Sequence, residues 1–143
     1  MQKTLGIITI IFAAFLSSVF IYLLMGYFLR LNGWKAVAGQ LGLILPVTFG
    51  LIAIVIVAVA IKLKQSSFDE RIAPFPNMEA LHSYAVSKSV IVFAMSEVPA
   101  ILGIMCYLLT GNLTGFVALC GLSILAFLIV RPTLSNLESL KHG

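Results

Sequence analysis

The chain has 143 residues, of which 61% are hydrophobic and only 10% are charged, and its formal net charge is +4. A soluble domain carries about 25% charged residues, so this composition excludes a water-soluble globular domain. The apolar residues fall in runs long enough to cross a bilayer as helices of about 20 residues. The basic residues are spread over the ends of these runs and form no patch, so we expect a lipid bilayer as the surroundings and no nucleic acid as a partner.

The first two apolar runs predict two transmembrane helices. Helix one is predicted over residues 5–29, because this run is longer than the apolar core of a signal peptide and no small-residue cleavage site follows it. The breaker pair Asn32-Gly33 then ends the helix. Helix two is predicted over residues 36–62, with a kink at Pro46, because proline lacks the amide hydrogen that a helix interior requires.

The second half of the chain predicts two more helices. A polar segment with charges of both signs and two prolines precedes helix three, which is predicted over residues 78–109. The tight turn TGNLTG follows, and helix four is predicted over residues 114–130, since Pro132 disfavours helix at the residue before it. Residues 1–143 are therefore predicted to form a single all-α membrane domain, with four transmembrane helices in two antiparallel hairpins.

The positions of lysine and arginine predict the orientation in the membrane. With four crossings, both termini and the segment between helices two and three share one side. That side holds seven of the nine basic residues: Lys3, Lys62, Lys64, Arg71, Lys88, Arg131 and Lys141. The other side holds Arg30 and Lys35. Because cytoplasmic segments are enriched in Lys and Arg, we expect an integral protein of a bacterial inner membrane with both termini in the cytoplasm.

Glu97 is a carboxylic acid inside an apolar run. It lies three residues from Ala100, the centre of the apolar part of helix three, and so about 4.5 Å from the membrane midplane. A charge at that depth costs at least about 2.5–3.5 kcal/mol. Lys88 falls on the opposite side of the helix and cannot neutralise it. We therefore expect Glu97 to be protonated, or hydrogen-bonded by Ser, Thr or Gln of neighbouring helices, or completed by a partner chain or a bound cation.

Pro99 adds to the interpretation of this stretch. Without an amide hydrogen, it predicts a kink in helix three and frees the carbonyl of Met95. That carbonyl, the carboxyl of Glu97 and Ser96 are the predicted ion-binding groups, and the predicted ligand is H⁺ or a monovalent cation.

Small residues on the adjoining face of helix three predict close helix packing. Ser96, Ala100 and Gly103 follow one another at spacings of four and three, which allows another helix to approach closely. We therefore expect a Gly103→Leu substitution to disturb packing. Ala126→Leu, in helix four, is the control that the sequence suggests.

The stretch AMSEVPAILGIMCYLL resembles the ion-binding second helix of the proteolipid (c subunit) of rotary ATP synthases. The likeness rests on Ala94, Glu97, Ala100, Ile101 and Gly103. In that family the glutamate binds the transported proton or sodium ion, so the resemblance implies ion binding at Glu97. Helices one and four have no counterpart in the two-helix proteolipid, and the likeness covers helix three and the loop before it.

The remaining motifs give no case for an enzyme. The chain has no glycine-rich phosphate loop, no Ser-His-Asp arrangement and no CxxC. Haem ligation within a membrane usually takes histidines inside the apolar spans, but His82 lies nine residues before the apolar part of helix three and His142 lies in the C-terminal tail; both positions disfavour haem or metal ligation. Cys106 and Cys120 are interpreted as buried apolar thiols, although a redox pair between them stays open. We expect no enzymatic activity, no cofactor and no metal centre.

Three functions remain open from the sequence. The first is an ion-handling protein that binds H⁺ or a cation at Glu97, as part of a larger membrane assembly. The second is a non-catalytic accessory or assembly subunit, in which Glu97 is structural glue between helices. The third is a small homo-oligomeric transporter. Because four short helices enclose little cavity alone, the first and third require a homo-oligomer or other membrane subunits.

Overall fold

A computed structural model of the chain describes residues 2–34, 44–69 and 78–131. These residues form four α-helices: α1 (Gln2–Leu31), α2 (Ile44–Asp69), α3 (Met78–Thr110) and α4 (Leu113–Val130). All four are long and apolar enough to span a membrane, and the described ranges contain no strand. The protein is therefore a small all-α polytopic membrane protein, as the apolar runs predict.

The helix bounds differ most from the predicted ones at α2. This helix continues to Asp69, beyond the predicted end at residue 62, because lysine and glutamine are good helix formers outside an apolar run as well as inside one. Residues 36–43 lie outside the described part. Pro46 lies two residues after Ile44, the first described residue of α2. The kink at Pro46 therefore stays a prediction.

α3 and α4 form the centre of the bundle. They make the most extensive helix–helix contact, and α1 and α2 each pack against both of them. Direct contact between α1 and α2 is marginal at most. The first predicted hairpin is therefore consecutive in sequence but is not a closely packed pair, because each of its helices packs on the α3–α4 pair instead.

Contacts at the helix ends establish an alternating up-and-down order. Trp34, just after α1, donates from Nε1 to the carbonyl of Leu108 near the end of α3, at 3.4 Å. Lys64, near the end of α2, donates from Nζ to the carbonyls of Ile129 and Arg131 at the end of α4, at 2.8 and 3.4 Å. α1 therefore runs parallel to α3, and α2 runs parallel to α4. Lys64 also satisfies carbonyls that a helix end leaves without intrahelical partners.

The turn between α3 and α4 is two residues long and is fixed by local hydrogen bonds. Gly111 has a φ of 67°, in the left-handed region where glycine has no steric cost. Its amide donates to the carbonyl of Tyr107 at 2.8 Å and closes α3. The side chain of Asn112 accepts from the amide of Gly115 at 2.9 Å and caps α4. This turn holds the two central helices antiparallel.

An aromatic cluster fills the core between α1, α3 and α4. The ring of Phe12 lies edge-on to Phe93 and Phe127, with centroid distances of 5.4 and 5.8 Å. Phe15 packs against Phe93 at 6.5 Å. Such pairs contribute about 0.5–1.5 kcal/mol each beyond the burial of their surface. The cluster fixes α1 against α3 and thereby sets the position of the polar groups that follow one turn later along both helices.

Candidate functional site

The carboxyl of Glu97 lies in the interface between α3 and α1. Glu97 is 9% exposed, and its Oε1 accepts hydrogen bonds from two hydroxyl groups of α1, those of Ser18 and Tyr22. The bond from Tyr22 is 3.0 Å long. Ser18 and Tyr22 are four residues apart and therefore share one face of α1. Glu97 is thus hydrogen-bonded across a helix–helix interface, by a serine and by a tyrosine.

Aromatic rings pack between the helices before and after this polar group. One turn before it, the rings of Phe15 and Phe93 belong to the aromatic cluster. The ring of Phe116 lies against Gly26, one turn after Tyr22. Because the side chain of Glu97 is buried, its hydrogen bonds are stronger than they would be in water.

Ser96 faces a different helix from Glu97. Its hydroxyl donates to the carbonyl of Val92, one turn earlier, at 2.9 Å. Its carbonyl accepts from the hydroxyl of Ser123 in α4 at 2.6 Å. Neighbouring residues of a helix point about 100° apart, which places Ser96 at the α4 interface and Glu97 at the α1 interface. In the described contacts Ser96 does not join the hydrogen bonds of Glu97, and its role as an ion ligand stays a prediction.

Pro99 is fully buried inside α3, and the helix continues through it to Thr110. The missing amide removes the usual helical donor to the carbonyl of Met95. That carbonyl remains the predicted additional oxygen for a cation, and the kink at Pro99 likewise stays a prediction.

The three predicted packing residues are all buried. Ser96 and Ala100 have no exposed surface, and Gly103 lies against α4. A β-carbon at Gly103 would stand 3.1 Å from Cβ of Leu119 and 3.2 Å from the carbonyl oxygen of Phe116. Both distances are shorter than an ordinary van der Waals contact, and neither atom belongs to the end of a flexible side chain.

Gly103→Leu is therefore expected to destabilise the bundle by about 1–3 kcal/mol or more, as overpacking does. The control suggested by the sequence is wrong, because Ala126 is itself buried. Gly121→Leu in α4 is the matched control, since a β-carbon at Gly121 meets no atom within 4 Å. Thermal unfolding in detergent measures the difference, and equal stability of the two variants would remove the packing argument.

The other candidate residues lie apart from Glu97. Cys106 and Cys120 are buried free thiols. Within residues 2–34, 44–69 and 78–131, no three His, Cys, Asp or Glu side chains come together as a metal-ligand group. His142 and the side chain of His82 lie outside the described part. Among the described side chains, Glu97 with its two hydroxyl partners is therefore the site to consider for function.

Comparisons with protein-family models, with curated proteins and with solved structures give no match for this chain. The class of the protein, a four-helix polytopic membrane protein, therefore rests on its fold alone. Its function has to be argued from the chemistry of the Glu97 site.

Proposed function

We propose that the protein binds a proton or a monovalent cation at Glu97, as a unit of a larger membrane assembly. The observation that carries this proposal is a buried carboxyl whose partners are two neutral hydroxyls. No lysine or arginine of the described residues forms an ion pair with it. Ionisable groups inside membrane spans are costly and mark ion or substrate pathways by default.

The neutral surroundings of Glu97 are what reversible ion binding requires. A carboxylate paired with a fixed lysine or arginine stays ionised, because losing its charge would leave the partner unpaired. A carboxyl held by hydroxyls has no such constraint, since a hydroxyl is both a donor and an acceptor. Binding or release of a proton or a cation then changes the charge of the carboxyl and leaves no second buried charge without a partner.

Carbodiimide labelling tests this proposal. Carbodiimides react with protonated carboxyls in apolar surroundings, so we expect modification of Glu97 in membranes at neutral pH. Glu79 is an exposed carboxyl on the same helix and serves as the internal control. High pH is expected to slow the modification, and sodium is expected to slow it if sodium is a ligand. Modification that is insensitive to both, or no modification of Glu97, contradicts reversible binding.

A second candidate is an accessory or assembly subunit in which Glu97 is structural glue. It is supported by the fact that both hydrogen-bond partners of Glu97 lie on α1, so that the carboxyl fastens α1 to α3. The mass of the purified particle in detergent separates the candidates. Stoichiometric co-purification with unrelated chains favours the accessory subunit, whereas a large homo-oligomer favours an ion-handling unit or a homo-oligomeric transporter.

The orientation is also a proposal: both termini and the α2–α3 segment face the cytoplasm. Its support is the excess of basic residues on that side. Single cysteines at Ser67 and Thr114, in a chain without Cys106 and Cys120, test it with a membrane-impermeant maleimide on intact cells. Thr114 is exposed in the first turn of α4 and is preferable to Asn112, which caps that helix. We expect labelling at position 114 alone, and labelling at position 67 from outside would reverse the orientation.

A further inference from the structure

We infer that the ligand of the Glu97 site is a proton, and that Ser18 is the positioning residue that lets the site hold it. This inference rests on the proposed function and names the ligand of the same site. It comes from the two contacts of the Ser18 hydroxyl: Oγ of Ser18 is hydrogen-bonded to Oε1 of Glu97 and also lies 2.6 Å from the carbonyl oxygen of Phe15.

A serine hydroxyl has one hydrogen and can donate to one of these two oxygens at a time. When Glu97 is ionised, Ser18 donates to Oε1, and Tyr22 donates to the same oxygen. When Glu97 is protonated, its own hydrogen is donated to Oγ of Ser18, and Ser18 turns its hydrogen to the carbonyl of Phe15. Proton binding therefore reverses one hydrogen bond and leaves every hydrogen with an acceptor in both states.

The same contacts disfavour a metal cation. A metal ion binds by inserting among the oxygens that coordinate it, whereas Ser18 and Glu97 are already in direct hydrogen-bonding contact. The rings of Phe15 and Phe93 pack together one turn before the site, and the ring of Phe116 packs against Gly26, one turn after Tyr22. A proton requires no space between these atoms, and a hydroxyl rotation is enough to accommodate it.

Apart from Tyr22, none of the described ionisable groups on the helices packed against Glu97 is hydrogen-bonded to its carboxyl. On α1, Tyr22 bonds to Glu97, while Tyr27 and Arg30 are exposed near the far end. On α2, Lys64 is bonded to the end of α4, and the exposed Lys62 lies near it in sequence. The remaining described ionisable side chains on α3, on α4 and just after α4 are Glu79, Tyr84, Lys88, Cys106, Tyr107, Cys120 and Arg131. None of these is hydrogen-bonded to Glu97. Protonation of the carboxyl therefore changes its hydrogen bonds to the α1 hydroxyls of Ser18 and Tyr22.

Infrared difference spectroscopy on the protein in lipid vesicles tests this inference, with the pH, NaCl and KCl as the probes. The carbonyl band of the protonated carboxyl is identified by its loss in Glu97→Gln. We expect this band to grow on acidification to the same extent with or without NaCl and KCl. In Ser18→Ala it is expected to shift to higher frequency, because the acceptor of the carboxyl hydrogen is lost, whereas Ser18→Thr keeps the wild-type position.

Ser17→Ala is the matched control, because the hydroxyl of Ser17 donates to Ala13 within its own helix and not to Glu97. It is expected to leave the band unshifted. Ser18→Cys, with a weaker donor and acceptor, is expected to give a smaller shift and serves if Ser18→Ala does not reconstitute.

The possible failures are distinguishable. Suppression of the band by NaCl or KCl at constant pH would make a metal cation the ligand and overturn the proton inference, while the proposed function stands. An unshifted band in Ser18→Ala would overturn the role of Ser18 alone. A Glu97 band that responds neither to pH nor to either salt would overturn the proposed function together with this inference.

Discussion

Leucine in place of Gly26 is expected to abolish most of the folded protein that detergent extracts from the membrane. A β-carbon at Gly26 would stand 2.3 Å from Cε1 of Phe116. The ring cannot move aside, because Phe116 is 1% exposed and packs against Tyr107 with a centroid distance of 5.5 Å. Overpacking of this kind costs about 1–3 kcal/mol and occasionally more, and this clash falls at the upper end. Size-exclusion chromatography of a fluorescent fusion measures the folded fraction.

Gly6→Leu is the matched control for this prediction. Gly6 lies on the same helix, and a β-carbon there meets no atom within 4 Å. Its folded fraction is expected to stay near that of the wild type. Combining Gly26→Ala with Phe116→Ala removes the ring that causes the clash and should recover part of the fold relative to Gly26→Ala alone. Equal loss in Gly6→Leu and Gly26→Leu would show that the ring contact is not the cause.

The second large effect is expected from Glu97→Gln, and it concerns binding instead of folding. Glutamine keeps an acceptor oxygen for Ser18 and Tyr22, so we expect the unfolding free energy to change by about 1 kcal/mol or less. Glutamine cannot release a proton, so proton or cation binding at this position should be lost completely. Thermal unfolding measures the first effect, and the number of protons released on titration with base measures the second.

Two further substitutions, Glu97→Asp and Glu97→Leu, separate the contribution of the carboxyl to binding from its contribution to stability. Aspartate keeps an ionisable carboxyl on a shorter side chain and should retain part of the binding. Leucine removes the acceptor, which leaves the hydroxyl of Tyr22 without its partner at Glu97, and should therefore destabilise the α1–α3 contact as well as abolish binding. If Glu97→Gln performs every function of the wild type, the carboxyl is structural and the accessory-subunit candidate takes precedence.

The fold could be predicted from the sequence because its signals are local. Four apolar runs separated by polar segments are enough to define four spans, and the TGNLTG stretch places the short α3–α4 turn. The packing of the helices against one another was harder to predict from the sequence. Nothing in a single apolar run shows which neighbour it packs against, so the marginal contact between α1 and α2 could not be foreseen.

Part of the candidate site could also be predicted from the sequence, because one of its signals is local. Glu97 is conspicuous as a carboxyl within an apolar run, but its partners lie 79 and 75 positions away along the chain. A weak signal for them exists: Ser18 and Tyr22 are polar residues four apart near the middle of helix one, close to the depth of Glu97. The expectation of a serine partner is met by Ser18, whereas the tyrosine was not anticipated.

The direction in which a side chain points from its helix accounts for the remaining differences between the predicted and the observed packing. Ser96 is adjacent to Glu97 in sequence but packs toward α4, where Ser123 donates to its carbonyl. The sequence suggests Ala126 as a control position in helix four, but its side chain is buried. In an apolar helix, lipid-facing and protein-facing positions have similar residues, so the sequence alone does not distinguish them.

The most direct test of the central claim counts the protons that Glu97 exchanges. Wild-type protein and Glu97→Gln, each in lipid nanodiscs, are titrated with base in choline chloride and again in sodium chloride. The account predicts that the wild type releases one more proton per chain than Glu97→Gln. If the ligand is a proton alone, the release follows the same curve in both salts. The same number of protons from both proteins throughout the titration, in either salt, would show that Glu97 does not exchange a proton and would contradict the account.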